Sequence, residues 1–199
     1  MKKIRLKKKQ KNNLTILLLL LSVLALIFAA YQGKEEAKQP EETFLQDQTT
    51  LDFIRTIGPT AQEIAAANDL YASVMIAQAV LESDSGQSTL SQAPNFNFFG
   101  IKGDYLGQSV SMPTLEDDGK GNMYQIDADF RSYGSQRESL QDYAQLLQKD
   151  IYRNVRRSYA HSYQEATTAL TGTYATDTAY GEKLNHIIEA YGLTIYDRF

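Results

Sequence analysis

Apolar and polar positions divide the chain into three stretches of different texture. Residues 14–31, LTILLLLLSVLALIFAAY, are apolar almost without interruption, carry no charge, and have Thr15 and Ser22 as their clearly polar side chains. At ~1.5 Å per residue such a stretch makes a helix about 27 Å long, enough to cross the hydrocarbon core of a bilayer. Residues 32–50, QGKEEAKQPEETFLQDQTT, have almost no apolar content and read as a flexible linker. From Leu51 onward apolar residues recur at the spacings of packed elements.

In this third stretch Phe53, Ile54, Ile57, Ile64 and Ala65 fall at helical spacings around Gly58 and Pro59. Since Pro can open a helix, the pattern predicts two short helices or one interrupted helix. Tyr71 to Leu81, YASVMIAQAVL, is apolar at nearly every position, which predicts a helix buried around most of its circumference at the centre of the domain. Residues 82–105 are rich in Ser, Gly, Asn and Pro and read as loop. Residues 107–116 and 122–130 carry Val110, Met112, Tyr124, Ile126 and Phe130 on either side of DDGKG, a β-hairpin pattern. Helical spacing returns over 135–153 through Leu140, Tyr143, Leu146, Leu147 and Ile151, with Ser135 and Glu138 placed as a capping box. Two shorter helices are predicted over 163–170 and 180–191, the last ending at Gly192. The expectation is one mainly α domain over 51–199, with a helical lobe, a small β-hairpin lobe and no internal repeat.

Charge changes the picture at the N-terminus. Six Lys and one Arg stand among the first dozen residues, directly before the apolar stretch. This positive-inside pattern makes residues 1–13 a basic cytoplasmic tail, 14–31 a single transmembrane signal anchor, and the remainder extracytoplasmic. A cleaved secretory signal has the same texture. Cleavage after Ala29 or Ala30, however, sets Ile27 or Phe28 three positions upstream, against the small-x-small rule, so the anchor is the preferred reading. Seven of the 20 basic residues lie in that first dozen, so 13 face all 24 acidic ones and the rest of the chain has a net charge of −11. Such a surface has no electrostatic footprint for phosphate backbones and disfavours nucleic acid as a partner.

The absence of Cys removes thiolate metal sites and Cys nucleophiles, and His161 and His186 have no partner at a metal-ligand spacing. Neither a metal nor a cofactor is expected. The residue with the most suggestive placement is Glu82, at the end of the most apolar helix and directly before a polar loop. A carboxyl group set against apolar surface is harder to ionise and can keep a proton to give away. An ordinary helix-end Glu reaching solvent has the same spacing.

Wider stretches of sequence carry more information. AQAVLESDSGQSTLSQAPNFNFFGIKG, then FRSYGSQRESLQDYAQLL, then ATDTAYGEKLNHIIEAYGL preceded by Tyr174, follow in an order that resembles the bacterial N-acetylglucosaminidases of glycoside hydrolase family 73. The resemblance spans about Ile64 to Tyr196. It implies a lysozyme-like α+β fold, cleavage of the β-1,4 bond between N-acetylglucosamine and N-acetylmuramic acid in peptidoglycan, and Glu82 as proton donor. It further implies Glu116 as a second acid in the β-lobe, with Asp117 and Asp118 as neighbouring candidates, and Tyr174 beside the donor. Glu116 reads equally as the first acid of a charged hairpin turn. Asn97 and Gly100 lie in the loop that wraps the donor in that family, where Asn97 bonds either the loop or the sugar's acetamido group. Where many relatives have an aromatic residue two positions after the Glu-Ser pair, this chain has Asp84 and Ser85, and it has no Trp. Sugar stacking then falls to Tyr and Phe, with Tyr105, Tyr133 and Tyr180 as substrate-binding candidates. A lytic transglycosylase, a muramidase or an inactive glycan-binding module on the same fold are the alternatives. Peptidoglycan is the expected partner, with a cell-wall synthesis or division protein to direct so acidic an ectodomain.

Overall fold

The computed structural model describes residues 40–117 and 123–198. The basic tail, the apolar stretch 14–31 expected to cross the membrane, and residues 32–39 lie outside the described residues. Among the described residues no helix is long and apolar enough to cross a membrane. The chain divides into two units, 1–46 and 47–199, and the second holds every element except the first turns of α1.

Helix α1 spans Pro40–Ala67. The polar stretch read as a linker is therefore helical from Pro40 onward. Pro in the first turn gives up an N–H that has no intrahelical partner. The expected break at Gly58 and Pro59 is absent, because the helix runs through with Pro59 inside it. Pro59 removes one backbone bond, but Ile54, Ile57, Ala61, Ile64 and Ala65 are buried along the same face and hold the two halves in line. Gly58 has a different purpose. A Cβ there would stand 2.6 Å from the ring of Tyr196, so the absent side chain admits the C-terminal segment against α1.

Helix α2, Ala72–Ser83, is the expected central helix, with every residue from Ala72 to Val80 buried. A long loop leads to the antiparallel hairpin of β1 (Ser109–Asp117) and β2 (Met123–Arg131), in register from Ser109 opposite Arg131 to Asp117 opposite Met123. Helix α3 covers Gln136–Leu146, and the Ser135 side chain accepts from the Glu138 N–H as the capping box requires. The helical pattern expected to reach residue 153 gives way to a 3-10 turn, Asp150–Val155. Ile151, which prolonged the apolar spacing, is 64% exposed, so no burial extends the helix to it. Helix α4, Tyr163–Leu170, α5, Tyr180–Ala190, and a final 3-10 turn, Leu193–Asp197, complete the domain. One apolar core joins α1 to α5. This helix-rich body with a two-stranded sheet fits the lysozyme-like α+β class.

Candidate active site

Glu82 sits in the last turn of α2, and the residues after it explain why the helix stops there. Ser83 Oγ donates to the Ala79 carbonyl at 2.5 Å and accepts from the Gly86 N–H at 2.8 Å, while the Ser88 N–H donates to the Ser83 carbonyl at 2.9 Å. The chain reverses through three consecutive residues of positive φ, Asp84 (51°), Ser85 (54°) and Gly86 (79°). A Cβ on Gly86 would approach the Phe53 ring to 2.7 Å. The Glu-Ser-x-x-Gly-x-Ser wording is thus a turn that ends a buried helix one residue past its carboxylate.

Tyr180 reaches this carboxylate from the start of α5. Its hydroxyl donates to Glu82 Oε1 at 2.6 Å and accepts from Gln78 Nε2 at 2.9 Å, and the hydroxyl of Tyr143 in turn donates to Gln78 Oε1. By surface area Glu82 is exposed, yet protein surrounds its carboxyl closely enough that loss of solvation pushes its pKa up, the Tyr180 bond opposing this in part. The two facts describe an acid at the protein surface, backed by the domain. Water touches the side chain from one side, while the surroundings that set the energy of a charge are mostly protein.

The Tyr180 position is itself built. Asp177 accepts from the Ala179 N–H at 2.9 Å and from Lys183 Nζ at 2.6 Å, which pins the turn that opens α5 and holds the Asp177 carboxyl below its ordinary range, chiefly through Lys183. Tyr174, expected beside the donor, gives its hydroxyl to the backbone and its ring to Tyr180. It stacks on Tyr180 with centroids 6.1 Å apart and donates its hydroxyl to the Phe99 carbonyl at 2.8 Å. It supports the tyrosine that bonds Glu82, and the Glu82 charge also acts on its own buried hydroxyl.

The other sequence candidates divide. Asn97 is buried, and its amide is fully engaged: Nδ2 donates to the Ile101 and Arg131 carbonyls, both at 2.9 Å, and Oδ1 accepts from the N–H groups of Phe99 and Ile101. It organises the loop and leaves no hydrogen-bonding capacity for an acetamido group. Tyr133 is also buried, its hydroxyl donating at 2.7 Å to Asp142, which Arg131 meets at 2.6 Å. A tyrosine so placed is structural, and burial raises its pKa further. Tyr105 packs on it, centroids 4.9 Å apart, and keeps part of its own ring accessible. Gly100 adopts a φ of 61° with open space where a Cβ would stand, so nothing crowds that side of the loop. Glu116 and Asp117 close β1, and Asp118 lies outside the described residues.

Sequence reasoning passed over Gln78 and Tyr143. The signal for Gln78 was present, because an amide inside an otherwise apolar, fully buried helix needs a hydrogen-bonding partner. Which partner it has is a matter of tertiary packing. An open apolar depression of about 430 Å³ between Leu81, Ala179, Lys183 and Ile187 adjoins this region without including Glu82.

A helical domain with a small hairpin and one carboxylic acid at a buried helix end is the build of a glycan-cleaving enzyme. A family model described as glucosaminidase, mannosyl-glycoprotein endo-beta-N-acetylglucosaminidase, matches residues 58–193, and the chain belongs to that family of glycoside hydrolases. It is 48% identical over 151 residues to a probable N-acetylmuramidase of Lactococcus lactis subsp. cremoris, covering 73% of this chain and 34% of that protein. It is 38% identical over 199 residues to the exo-glucosaminidase LytG of Bacillus subtilis, covering 97% of this chain and 70% of that protein. Among solved structures, the catalytic domain of the autolysin Auto from Listeria monocytogenes matches with a TM-score of 0.72 and 38% identity, over 98% of this chain and 100% of that one. Against several of its most similar curated relatives the chain spans only 24% to 34% of their length.

Proposed function

We propose that the chain is a peptidoglycan hydrolase that cleaves the β-1,4 bond between N-acetylglucosamine and N-acetylmuramic acid, with Glu82 as general acid. The observation that carries this reading is the Glu82 carboxyl at the rigid end of a buried helix, biased toward its protonated form and gripped on one oxygen by Tyr180. A proton held more tightly than on an ordinary carboxyl can pass to the glycosidic oxygen as the bond breaks, an effect worth about 10²- to 10⁴-fold in rate.

Glu116 is the proposed second acid, activating water or assisting attack by the substrate's own acetamido oxygen. Along β1 Val110, Met112 and Thr114 are partly buried, whereas Ser109, Ser111 and Pro113 are exposed. Across the register Ala128 and Phe130 are likewise protected. The register sets position 116 opposite Tyr124 and position 117 opposite Met123. Tyr105 and the open side of the loop at Gly100 are the proposed sugar contacts.

Product analysis tests the reading. Peptidoglycan digested with the full chain, reduced with borohydride and analysed by mass spectrometry is expected to yield reduced N-acetylglucosamine ends. A muramidase is the second reading, favoured by the 48% identity to the Lactococcus lactis protein, and it would leave reduced muramic ends. Anhydromuramic ends would mark a lytic transglycosylase, and binding without fragments a scaffold module.

Residues 14–31 are proposed to anchor the domain on the outer face of a bacterial membrane, with residues 1–13 inside. Glycan close to the membrane is then the accessible strand, and a cell-wall synthesis or division protein is a fitting partner. Protease added to spheroplasts is expected to digest the domain while sparing a tag at residue 1. Protection of the whole chain overturns this orientation.

A further inference from the structure

We infer that Gln78 is a positioning residue for the acid: it gives the chain Tyr143–Gln78–Tyr180–Glu82 a single direction and thereby assigns the transferable proton of Glu82 to Oε2. The inference rests on the role proposed for Glu82.

The direction follows from what each group can donate and accept. Gln78, Tyr143 and Tyr180 are all buried. An amide oxygen only accepts and an amide nitrogen only donates, while a tyrosine hydroxyl has one proton. Gln78 Oε1 faces Tyr143, so Tyr143 donates to it, and Gln78 Nε2 faces Tyr180, so Tyr180 accepts at 2.9 Å. The one proton of Tyr180 is then free for Glu82 Oε1, 2.6 Å away. With Oε1 occupied as an acceptor, a protonated Glu82 carries its hydrogen on Oε2, the oxygen Tyr180 leaves free.

The reversed amide has the opposite outcome. Oε1 would then face Tyr180 and take its proton, and Tyr180 could meet Glu82 only as an acceptor. The hydrogen of Glu82 would sit on the oxygen turned into the protein, out of reach of a glycosidic oxygen. The Tyr143 hydroxyl would also lose its acceptor among the described residues. A second consequence concerns strength. A hydroxyl that accepts a hydrogen bond donates a stronger one, so Gln78 reinforces the bond that stabilises the carboxylate left after proton transfer.

The test substitutes Gln78→Met, which keeps the bulk and removes the amide, in the full chain. Two readings are taken: the titration of the Glu82 carboxyl carbon by ¹³C NMR, assigned by difference from Glu82→Gln, and the pH–rate profile of fragment release. Gln78→Met is expected to move the Glu82 titration and the basic limb of the profile to higher pH, and to lower kcat about tenfold through misplacement of the acid, with KM unchanged. Tyr180→Phe is expected to move both further, and Gln78→Met to add nothing in its background. An unchanged titration, or shifts that add, reduces Gln78 to core packing and overturns the inference. If circular dichroism shows that Gln78→Met does not fold, Tyr143→Phe reads the chain from its other end: a smaller shift in the same direction supports it, and none overturns it. If the wild-type chain releases no fragments, the hydrolase reading fails while the titrations still decide the direction of the chain.

Discussion

At the end of α2, Glu82 is backed by a helix in which every residue from Ala72 to Val80 is buried, whereas the hairpin that ends in Glu116 shows Tyr124 and Ile126 at 49% and 38% exposure. The helix end is over-determined by the Ser83–Gly86 turn, the Phe53 ring and the Tyr180 bond. The hairpin is tied at its base. Gly103 donates to the Asp129 carbonyl at 2.8 Å, Arg131 donates to the Ile101 carbonyl at 2.9 Å, and Asn97 bonds the Arg131 carbonyl. Beyond that base the two strands pair chiefly with each other, and an isolated two-stranded ribbon is marginal. One acid is therefore held by a core, and the position of the other depends on the register of a ladder. On the proposed mechanism the helical lobe fixes the proton donor, while the hairpin has fewer contacts to hold it in place.

The largest effect that separates the two regions is catalytic. Glu82→Gln is expected to lower glycan cleavage about 10³-fold or more, and Glu116→Gln about 10- to 100-fold, both read as initial rates of fragment release. Equal losses would mean that the hairpin acid is as firmly placed as the helix acid.

Stability gives a second contrast with the opposite sign. Burial raises the Glu82 pKa in the folded state, so between the ordinary carboxylate range and that raised value the folded chain holds its proton more tightly than the unfolded one. Stability therefore falls as pH rises through that window and stays lowered above it. Glu82→Gln is expected to melt above wild type at pH 7, with the difference closing as the pH drops below the ordinary carboxylate range. An inactive variant that is less stable at pH 7 would sink this account of the site.

Gly86→Ala sharpens the comparison from the structural side. The φ of 79° and the 2.7 Å approach to Phe53 together make any side chain strained, at a cost of about 2 to 4 kcal/mol in chemical denaturation. Activity is expected to fall with it, because the same turn ends the helix beside Glu82.

How much of this was legible in the sequence differs between the same two regions. The apolar run of α2 predicted its burial, and Ser135 with Glu138 predicted the start of α3, because both signals are local. The hairpin was legible to within two residues at each boundary for the same reason. Gly58 and Pro59 misled, since their local meaning is a break and their tertiary meaning is a contact with Tyr196 more than 130 residues away. Within the site, Glu82 could be found from its place at the end of a greasy helix. That the Tyr180 hydroxyl bonds it could not, since Tyr174 and Tyr180 lie in one short stretch and only packing decides which hydroxyl meets the carboxylate. Asn97 reads as bonding either its loop or the sugar's acetamido group, and it bonds the loop, whereas Tyr133, which reads as a surface for sugar stacking, is buried and meets Asp142.

The smallest expected effect lies in the middle of the hairpin. Ile126 pairs across the ladder with Thr114 and is 38% exposed, so Ile126→Ser removes apolar area of which more than a third is already in water. Surface changes of this kind stay within about 0.5 kcal/mol, and the backbone register that places Glu116 two positions further along β1 does not depend on this side chain. Thermal denaturation is expected to show almost no change, and kcat to stay within about threefold of wild type. A loss of stability above about 1 kcal/mol would mean that the hairpin packs against another part of the chain in solution, and the contrast between a fixed donor and an adjustable partner would no longer hold. A rise in KM at unchanged stability would instead place Ile126 on the glycan, which is what an adjustable lobe closing over its substrate requires.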